Sequence, residues 1–531
     1  MIDKIKSLEQ NFSVSKAAFI VGFFALLSRA AGLLRDRLFA STFGAGDTLD
    51  VYYAAFRIPD FIFNLLVLGT LSVAFIPVFT ELLAKDKARA YKTANTVLNA
   101  SFLIMSAICI LLMFLAKPLT SVLVPGFSED KLAATTLLTR IFLASPVIFT
   151  ISNIFSSILN SQKKFFIANL APILYNVGII FGLLALYPKF GLAGLGMGVI
   201  LGALLHLFIQ IPEACRFGYF WTIKTDIKDP AVLKIFTLFL PRILGVDNSQ
   251  ISLLVGSMVG SILASGSIAV FNLANNLQAV PLGVFAISTA TAVFPFLSEL
   301  YNKGDKSSFM LELYKSVEQI LFFLVPFTIL LLLFRAHLVR LVFGAGNFDW
   351  NDTILTFNTL GLFAVSLFAQ GLTPLFARAF YAQHDTKTPV FTGILAMATN
   401  ALLAYVFGTR FGAPGMAAAF SAAAILNSII LFAILRHRLI RDLDRTQVHK
   451  MDMEIASSIA KICAASLFMG LAGYALLYLL DPLVDTHTVL GLLAQAGLAF
   501  LGGAAVFVAV GKYLQIPQLK LISLAGVIKK G

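Results

Sequence analysis

The sequence predicts an all-α, polytopic membrane protein with about 14 transmembrane helices, and three observations carry that prediction. Of 531 residues, 59% are hydrophobic and only 13% charged, with a mean hydropathy of +0.88; a soluble domain carries about a quarter charged residues. Apolar runs of about 20 residues recur along the whole chain between short polar or Gly/Pro-rich joints. The excess of Lys and Arg, a net charge of +13, gathers in alternate joints. That pattern orients a membrane chain and is not the aromatic-interleaved basic stripe of a nucleic-acid binder, so nucleic acid is not an expected partner.

The start, MIDKIKSLEQNFSVSK, is too polar for a cleavable signal, so the first span, 15 to 34, is expected to serve as its own insertion signal. The second, 50 to 82, carries Pro59, Gly69 and Pro77, each a place where a helix bends. Spans at 91 to 116, 132 to 160, 165 to 187 and 190 to 212 follow, separated by joints such as KDKARAYK and QKK. The stretch from 213 to 231 mixes aromatics with charges and reads as a segment lying on the cytoplasmic interface. Six more spans run from 232 to 264, 268 to 300, 308 to 335, 354 to 382, 389 to 409 and 413 to 436; the second of these repeats the interruption pattern with Pro281, Gly283 and Pro295. A basic stretch, 436 to 453, then precedes spans at 455 to 480 and 487 to 512. With an even count both ends share a side, and the basic joints at 85 to 92, 162 to 164, 217 to 229, 302 to 306 and 436 to 445 put that side in the cytoplasm.

An internal repeat divides the chain. LSRAAGL at 27 to 33 is echoed by LPRILGV at 240 to 246, and AFIPVFTELL at 74 to 83 by AVFPFLSELY at 292 to 301. A fixed offset of this kind implies two pseudosymmetric halves with a substrate site between them. The expected organisation is an N-terminal lobe at 1–217, a linker and C-terminal lobe at 218–450, and two further helices at 451–531.

Enzyme chemistry finds no support in the motifs. The histidines at 206, 337, 384, 437, 449 and 487 are scattered, and no HExxH, paired CxxC or GxxxxGK[ST] occurs. Cys109, Cys215 and Cys463 are widely spaced packing residues with neither disulfide nor metal spacing. His206 and Gln210, four residues apart, read as a satisfied polar pair inside a bundle. No cofactor is expected; a coupling ion or the membrane potential would drive any transport.

The informative residues are cations in hydrocarbon. Arg29, Arg57, Arg140 and Arg242 lie within apolar segments and Arg35 at the end of one. An arginine at the bilayer centre costs at least about 2.5 kcal/mol, so it faces protein or water. Its planar fork grips phosphate oxygens in bidentate fashion, which suits a diphosphate. Arg29 and Arg35 are assigned to an internal cavity; for Arg57 and Arg140 a helix carboxylate or snorkelling serves equally well. Asp36 lies two turns from Arg29 on one face. Asp247, with Asn400 from a later span, is a weak candidate cation site.

Several of these residues fall in longer motifs. Ser28-Arg29 with Gly32, Arg35-Asp36, FGAG at 43 to 46, Asp50, AFRIPD at 55 to 60 and AFIPVF at 74 to 79 resemble the opening signature of the MurJ/MviN family of lipid II flippases. The stretches at 249 to 285 and RAFYAQHDTKTPV at 378 to 390 are similar to the family's eighth-helix and tenth-loop motifs. The resemblance implies the multidrug/oligosaccharidyl-lipid/polysaccharide exporter fold, with two six-helix lobes and two C-terminal helices that hold the substrate's polyprenyl tail. It implies a flippase of the bacterial cytoplasmic membrane that moves lipid II to the outer leaflet by alternating access, with membrane lipids and the cell-wall synthesis machinery as partners. It maps functional residues onto Arg29, Arg35, Asp36 and Asp50, with Arg57, Arg242, Asn275 and Asn276 as further substrate-binding candidates. The chain departs from the family at Phe63 and Asn64, where arginines are common, at Leu68, where an acid stands, and at Asn275-Asn276, where the family has Asp-Arg. Those losses keep two alternatives in view: another polyprenyl-diphosphate-linked glycan as cargo, or a non-transporting scaffold.

Overall fold

The computed structural model describes residues 14–67, 71–243, 248–441, 443–486 and 488–521, and all regular structure among them is helical. The elements are α1 (Val14–Phe43), α2 (Asp47–Leu66), α3 (Leu71–Lys85), α4 (Lys87–Phe114), α5 (Ala116–Leu123), α6 (Glu129–Phe142), α7 (Ala144–Ser161), α8 (Phe165–Phe181), α9 (Tyr187–Phe190), α10 (Leu192–Phe208), α11 (Ile211–Arg216), α12 (Pro230–Ile243) and α13 (Asn248–Ile262). They continue with α14 (Ser267–Pro281), α15 (Ser288–Asn302), α16 (Lys306–Phe343), α17 (Trp350–Ala364), α18 (Leu367–Ala382), α19 (Lys387–Ile440), α20 (Arg445–Leu480) and α21 (Val489–Tyr513). Every predicted span falls on one of these helices or on a consecutive pair. The chain is a multi-pass membrane protein: among the described residues 9 spans are long and apolar enough to cross a bilayer, or 10 if α17 and α18, bent by 45°, form one.

The sequence count of about 14 is higher for identifiable reasons. The predicted spans at 50 to 82 and 232 to 264 arrive as the short pairs α2–α3 and α12–α13, and α2 carries Asp47, Asp50, Arg57 and Asp60. The spans at 389 to 409 and 413 to 436 are two legs of α19, turned at Gly412, whose φ of +68° is open to glycine. The polar joints supply helix caps: the side chains of Asp86, Ser128, Asp305, Asp444 and Thr488 each accept a backbone N–H of the helix that follows. Asp349 and Asp352 form a reciprocal capping box on α17.

The chain separates into two compact units, the first ending at Gly266 and the second beginning at Ser267. The first unit takes in α12, which packs on α3, and α13, which is tied to α2. In the first unit Phe75, Phe79, Leu98, Ile154, Ile158 and Tyr219 form the core. The α8–α10 pair closes on glycine: a Cβ on Gly178 would stand 2.3 Å from the Gly202 Cα, and one on Gly182 2.4 Å from the Gly198 Cα. In hydrocarbon, where apolar burial gains little, such backbone approach supplies the packing.

The interfacial stretch after α11 is not helical. It is an extended strap laid along α4: Tyr91 Oη donates to the Phe217 carbonyl at 2.6 Å, Asn95 to Phe220 O at 3.1 Å and Asn99 to Thr222 O at 2.9 Å. Lys92–Asp226 (2.7 Å) and Arg89–Asp229 (3.1 Å) pin its return. The side chains on one helix thus satisfy backbone that no ladder serves.

In the second unit α14 runs into a π-helical segment, Leu282–Ile287, immediately after Pro281, where the missing N–H leaves the normal helical ladder incomplete. Phe309, Ile320, Leu324, Leu375, Phe376 and Phe380 fill the core. The last two helices, predicted as a separate 451–531 segment, pack here too, through Ile462, Met469 and Phe507 against Phe322 of α16. At the end of the bundle Asp452 accepts from Tyr314 Oη at 2.6 Å and from Arg436. In the loop before α19, Asp385 accepts from Thr388 N (3.0 Å), Thr388 Oγ1 (2.6 Å) and Arg438 Nη1 (2.5 Å). Burial opposes its charge, but these hydrogen bonds and the guanidinium outweigh it and hold the carboxyl down at about 2.

Two expectations follow from this packing. Gly198→Val forces side chain into backbone and should cost about 1–3 kcal/mol, read as a lower melting temperature of the detergent-solubilised protein. Gly497→Val, where a Cβ meets nothing within 4 Å, should leave it unchanged. For Asp385, whose pKa falls on folding, the stabilisation is complete above its unfolded value of about 4 and is lost as pH drops toward 2. Asp385→Asn should therefore melt below wild type at pH 7, with the gap closing between about pH 4 and 2.

Candidate functional site

Position 35 organises the polar face of α1. Neighbours one residue apart on a helix point in different directions, but the long Arg35 side chain folds back so that Nε (3.0 Å) and Nη2 (2.8 Å) both donate to Asp36 Oδ1. Its remaining fork nitrogen, Nη1, donates to Asn176 Oδ1 of α8 at 3.1 Å. Asn176 holds its own orientation by donating to the Pro172 carbonyl at 3.0 Å. Asp36 therefore pairs with Arg35 and not with Arg29, the partner that helical spacing suggested.

Arg29, two turns earlier, is half-buried midway along α1 and makes no hydrogen bond or ion pair among the described residues. Three tyrosines stand around the Arg35–Asp36 pair: Tyr52 and Tyr53 of α2 feel the charges of both Arg35 and Asp36, and Tyr175 of α8 those of Arg35 and Asp60. Tyr52 is packed edge-on to Phe56 and against Phe39, and its buried hydroxyl finds no hydrogen-bond partner among the described residues. Asp60, one turn beyond Arg57, interacts electrostatically with both Arg57 and Arg35. The site thus combines the Arg35 fork, two carboxylates and a fringe of phenols on α1, α2 and α8, with Arg29 further along α1. It offers cationic donors for an anion and hydroxyls for sugar or phosphate oxygens.

The other candidates sit elsewhere. Arg57 is buried and donates through Nε to Ser257 Oγ of α13 at 2.9 Å, so one of its roles is to join α2 to α13. Asp50, 1% exposed, accepts from Gly266 N at 2.8 Å and lies 3.7 Å from Lys131 Nζ. Gly266 has φ +86°, and a Cβ there would be 1.9 Å from the Ala45 carbonyl oxygen, so Asp50 anchors a turn that only glycine fits. Phe63 rests on the Phe149 ring, centroids 5.3 Å apart, and Asn64 turns back to the Asp60 carbonyl at 2.8 Å.

Arg140 is exposed and donates to the Met113 carbonyl near the end of α4, at 3.2 Å, rather than to a helix carboxylate. His206 meets Ser152 Oγ at 2.7 Å, and Gln210 donates to the same oxygen at 2.8 Å, so this pair is the satisfied one its spacing suggested. The Arg242 side chain and Asp247 lie outside the described residues, as does Leu68.

In the second unit Asn275 accepts from Gln278 at 3.0 Å, and a relay continues from Gln370 to Gln278 (3.0 Å) and to Ser366 (2.9 Å), which meets Ser421 at 2.9 Å. Ser366 stands at the break between α17 and α18, so the relay satisfies polar groups where the helix bends. Asn276 is half-exposed beside it. Asn400 is buried with its Oδ1 unpartnered, and no cluster of three metal-ligating side chains occurs among the described residues. The sequence did not single out Asn176, Tyr52, Tyr175 or Ser257. Their polar character inside apolar runs was the available signal, but the partner lies as far as 200 positions away.

Comparison with known proteins covers most of this architecture. The sequence model of the family described as "Lipid II flippase MurJ" matches residues 39–494. The probable lipid II flippase MurJ of Vibrio cholerae serotype O1 is 32% identical over 429 residues, 78% of this chain and 82% of that one. Its counterpart from Haemophilus influenzae is 30% identical over 465 residues, covering 84% and 89%. A solved lipid II flippase MurJ in an inward closed conformation superposes with a TM-score of 0.73 at 27% identity, covering 95% of this chain and 100% of the other. An inward-facing MATE multidrug transporter, at 16% identity and a TM-score of 0.64, covers 78% of this chain and 95% of its own, and shares the fold alone. With the α1 and α2 signature seated in that fold and matched along almost its whole length, the chain belongs to the lipid II flippase MurJ family.

Proposed function

We propose that this protein is a lipid II flippase of the bacterial cytoplasmic membrane, carrying the diphosphate-linked headgroup from the inner to the outer leaflet by alternating access. The observation that carries the reading is Arg29: a cation midway along a membrane helix, half-exposed and without a protein anion among the described residues. An anionic headgroup supplies the missing charge, and Arg35, already oriented by Asp36 and Asn176, supplies a second fork. Asp36 and Asp60 keep the site from holding a dianion too tightly to release it. No bond is made or broken; the protein lowers the cost of moving charge through hydrocarbon.

Several finer assignments belong to the same proposal. Arg57, Arg242, Asn275 and Asn276 are further headgroup contacts, and Asp50 supports the site by holding the start of α2. The Pro281 and π-helical segment of α14 is a hinge for the conformational cycle, since a helix with an incomplete ladder bends at low cost. Both termini face the cytoplasm, supported by the basic joints. The chain transports and does not catalyse. The membrane potential or a cation gradient sets direction, and the cell-wall synthesis machinery uses the product.

Complementation tests the reading. Expression in a bacterium depleted of its own flippase should restore growth, and a well-expressed protein that fails to do so would overturn it. Arg29→Ala and Arg35→Ala should abolish rescue at normal expression and weaken binding of purified lipid II by about 2 kcal/mol or more, while exposed Lys450→Ala should behave as wild type. Asp50→Asn should differ in kind: a lower melting temperature, with residual rescue at reduced growth temperature.

A further inference from the structure

The second unit holds a pocket of about 750 Å³ between α16, α17 and the two legs of α19, far along the sequence from the α1 cations. Its walls are Leu332, Leu362, Val365, Phe407 and Phe411, with two polar side chains, Arg335 and Asn358, set among them. No carboxylate lines it. The Arg335 guanidinium lies 5.8 Å from the Phe357 ring centroid, and neither Arg335 nor Asn358 makes a side-chain hydrogen bond or ion pair among the described residues.

The space is built and not incidental. A Cβ on Gly361 would stand 3.0 Å from Arg335 Nη1, so glycine there lets the arginine lie across α17. A Cβ on Gly415 would stand 2.0 Å from the Phe407 carbonyl oxygen, so glycine also lets the two legs of α19 close at the pocket's far wall.

The surroundings are apolar and exposed, as a lipid-facing surface requires. Leu355, Asn358 and Leu362 share one face of α17 and Val365, just past its end, continues it; Leu355 is 43%, Val365 44% and Phe411 67% exposed. Depth can be read along α16. Arg340 stacks on Trp350, itself 59% exposed, and donates to the Thr486 carbonyl, an interfacial arrangement of aromatic and cation. Arg335 lies five residues from Arg340 along α16, about 8 Å at 1.5 Å per residue, a distance its long stem can span toward the interface. Exposed Arg410 adds positive charge beside the Phe411 rim.

We propose that this pocket binds one anionic phospholipid of the bilayer, its phosphate held by the Arg335 fork and the Asn358 amide and an acyl chain lying along Phe407, Phe411 and Val365. Charge complementarity selects the occupant: an unpaired arginine in an apolar, lipid-facing recess requires an anion that arrives with its own hydrocarbon. The site is separate from the headgroup site on α1 and α2 and needs no lipid II.

Native mass spectrometry of the full-length protein, titrated in detergent with phosphatidylglycerol and with phosphatidylcholine, tests it. Wild type should retain one phosphatidylglycerol in preference to phosphatidylcholine, Arg335→Gln should weaken that retention about tenfold or more, and Arg335→Lys should restore part of it. Ala418→Phe, which fills the pocket and keeps the charge, should displace the lipid as well. Retention by Arg335→Gln or by Ala418→Phe equal to wild type, or equal retention of the two lipids by wild type, overturns the proposal. Because no lipid II is present, the result stands apart from the outcome of complementation.

Discussion

A charge carried on a membrane-spanning helix must be met by an opposite charge, a dipole or water, because hydrocarbon offers none of them. Much of the first unit is arranged around that requirement. Arg35 is answered by Asp36 and Asn176, Arg57 by Ser257, and Arg140 by a carbonyl near the end of α4. The bonds to Asn176 and Ser257 do more than satisfy a charge, since they join helices 141 and 200 positions apart in the chain. The Arg57–Ser257 bond and the Asp50–Gly266 bond together explain why α13 belongs with the first unit, although the repeat in the sequence counts it with the second half. Arg29 is the exception: it has no protein partner among the described residues.

The same constraint applies to backbone. At the bend between α17 and α18 and in the strap after α11, side chains take the place of the helical ladder. Ser366 and Gln370 occupy the bend between α17 and α18, and the relay through Gln278 and Asn275 extends that polar seam into α14. The strap after α11 has no ladder at all and is served by Tyr91, Asn95 and Asn99. Polar residues that look out of place in an apolar run are thus the price of irregular backbone, which a transporter needs if its helices are to bend.

Packing follows a different rule. Large apolar side chains fill both cores, but in lipid they gain little from leaving hydrocarbon, so close approach of backbones carries more of the association. Gly178, Gly182, Gly198 and Gly202 bring α8 and α10 together, and that fixes Asn176, two residues before Gly178, opposite Arg35. Geometry at the candidate site therefore depends on residues that touch no charge. The glycines at 361 and 415 act in the same way at the lipid-facing pocket, by leaving room that a methyl group would close.

The helical membrane class, the order of the apolar spans and the cations on α1 and α2 were legible in the sequence, because transfer into hydrocarbon is a sum over neighbouring residues and can be read locally. So were the satisfied His206–Gln210 pair and the motifs that resemble the flippase family. What the sequence left open was which polar groups meet. Spacing paired Asp36 with Arg29, yet a flexible guanidinium one residue away reached it first; nothing local named Asn176 or Ser257 as partners, at separations of 141 and 200 residues. The strap's extended path, the membership of α13 and the pocket around Arg335 were equally hidden. Local composition and spacing set what must lie in the membrane and which charges must be answered there. Which group answers each one depends on helix positions, and those are fixed by packing across the whole fold.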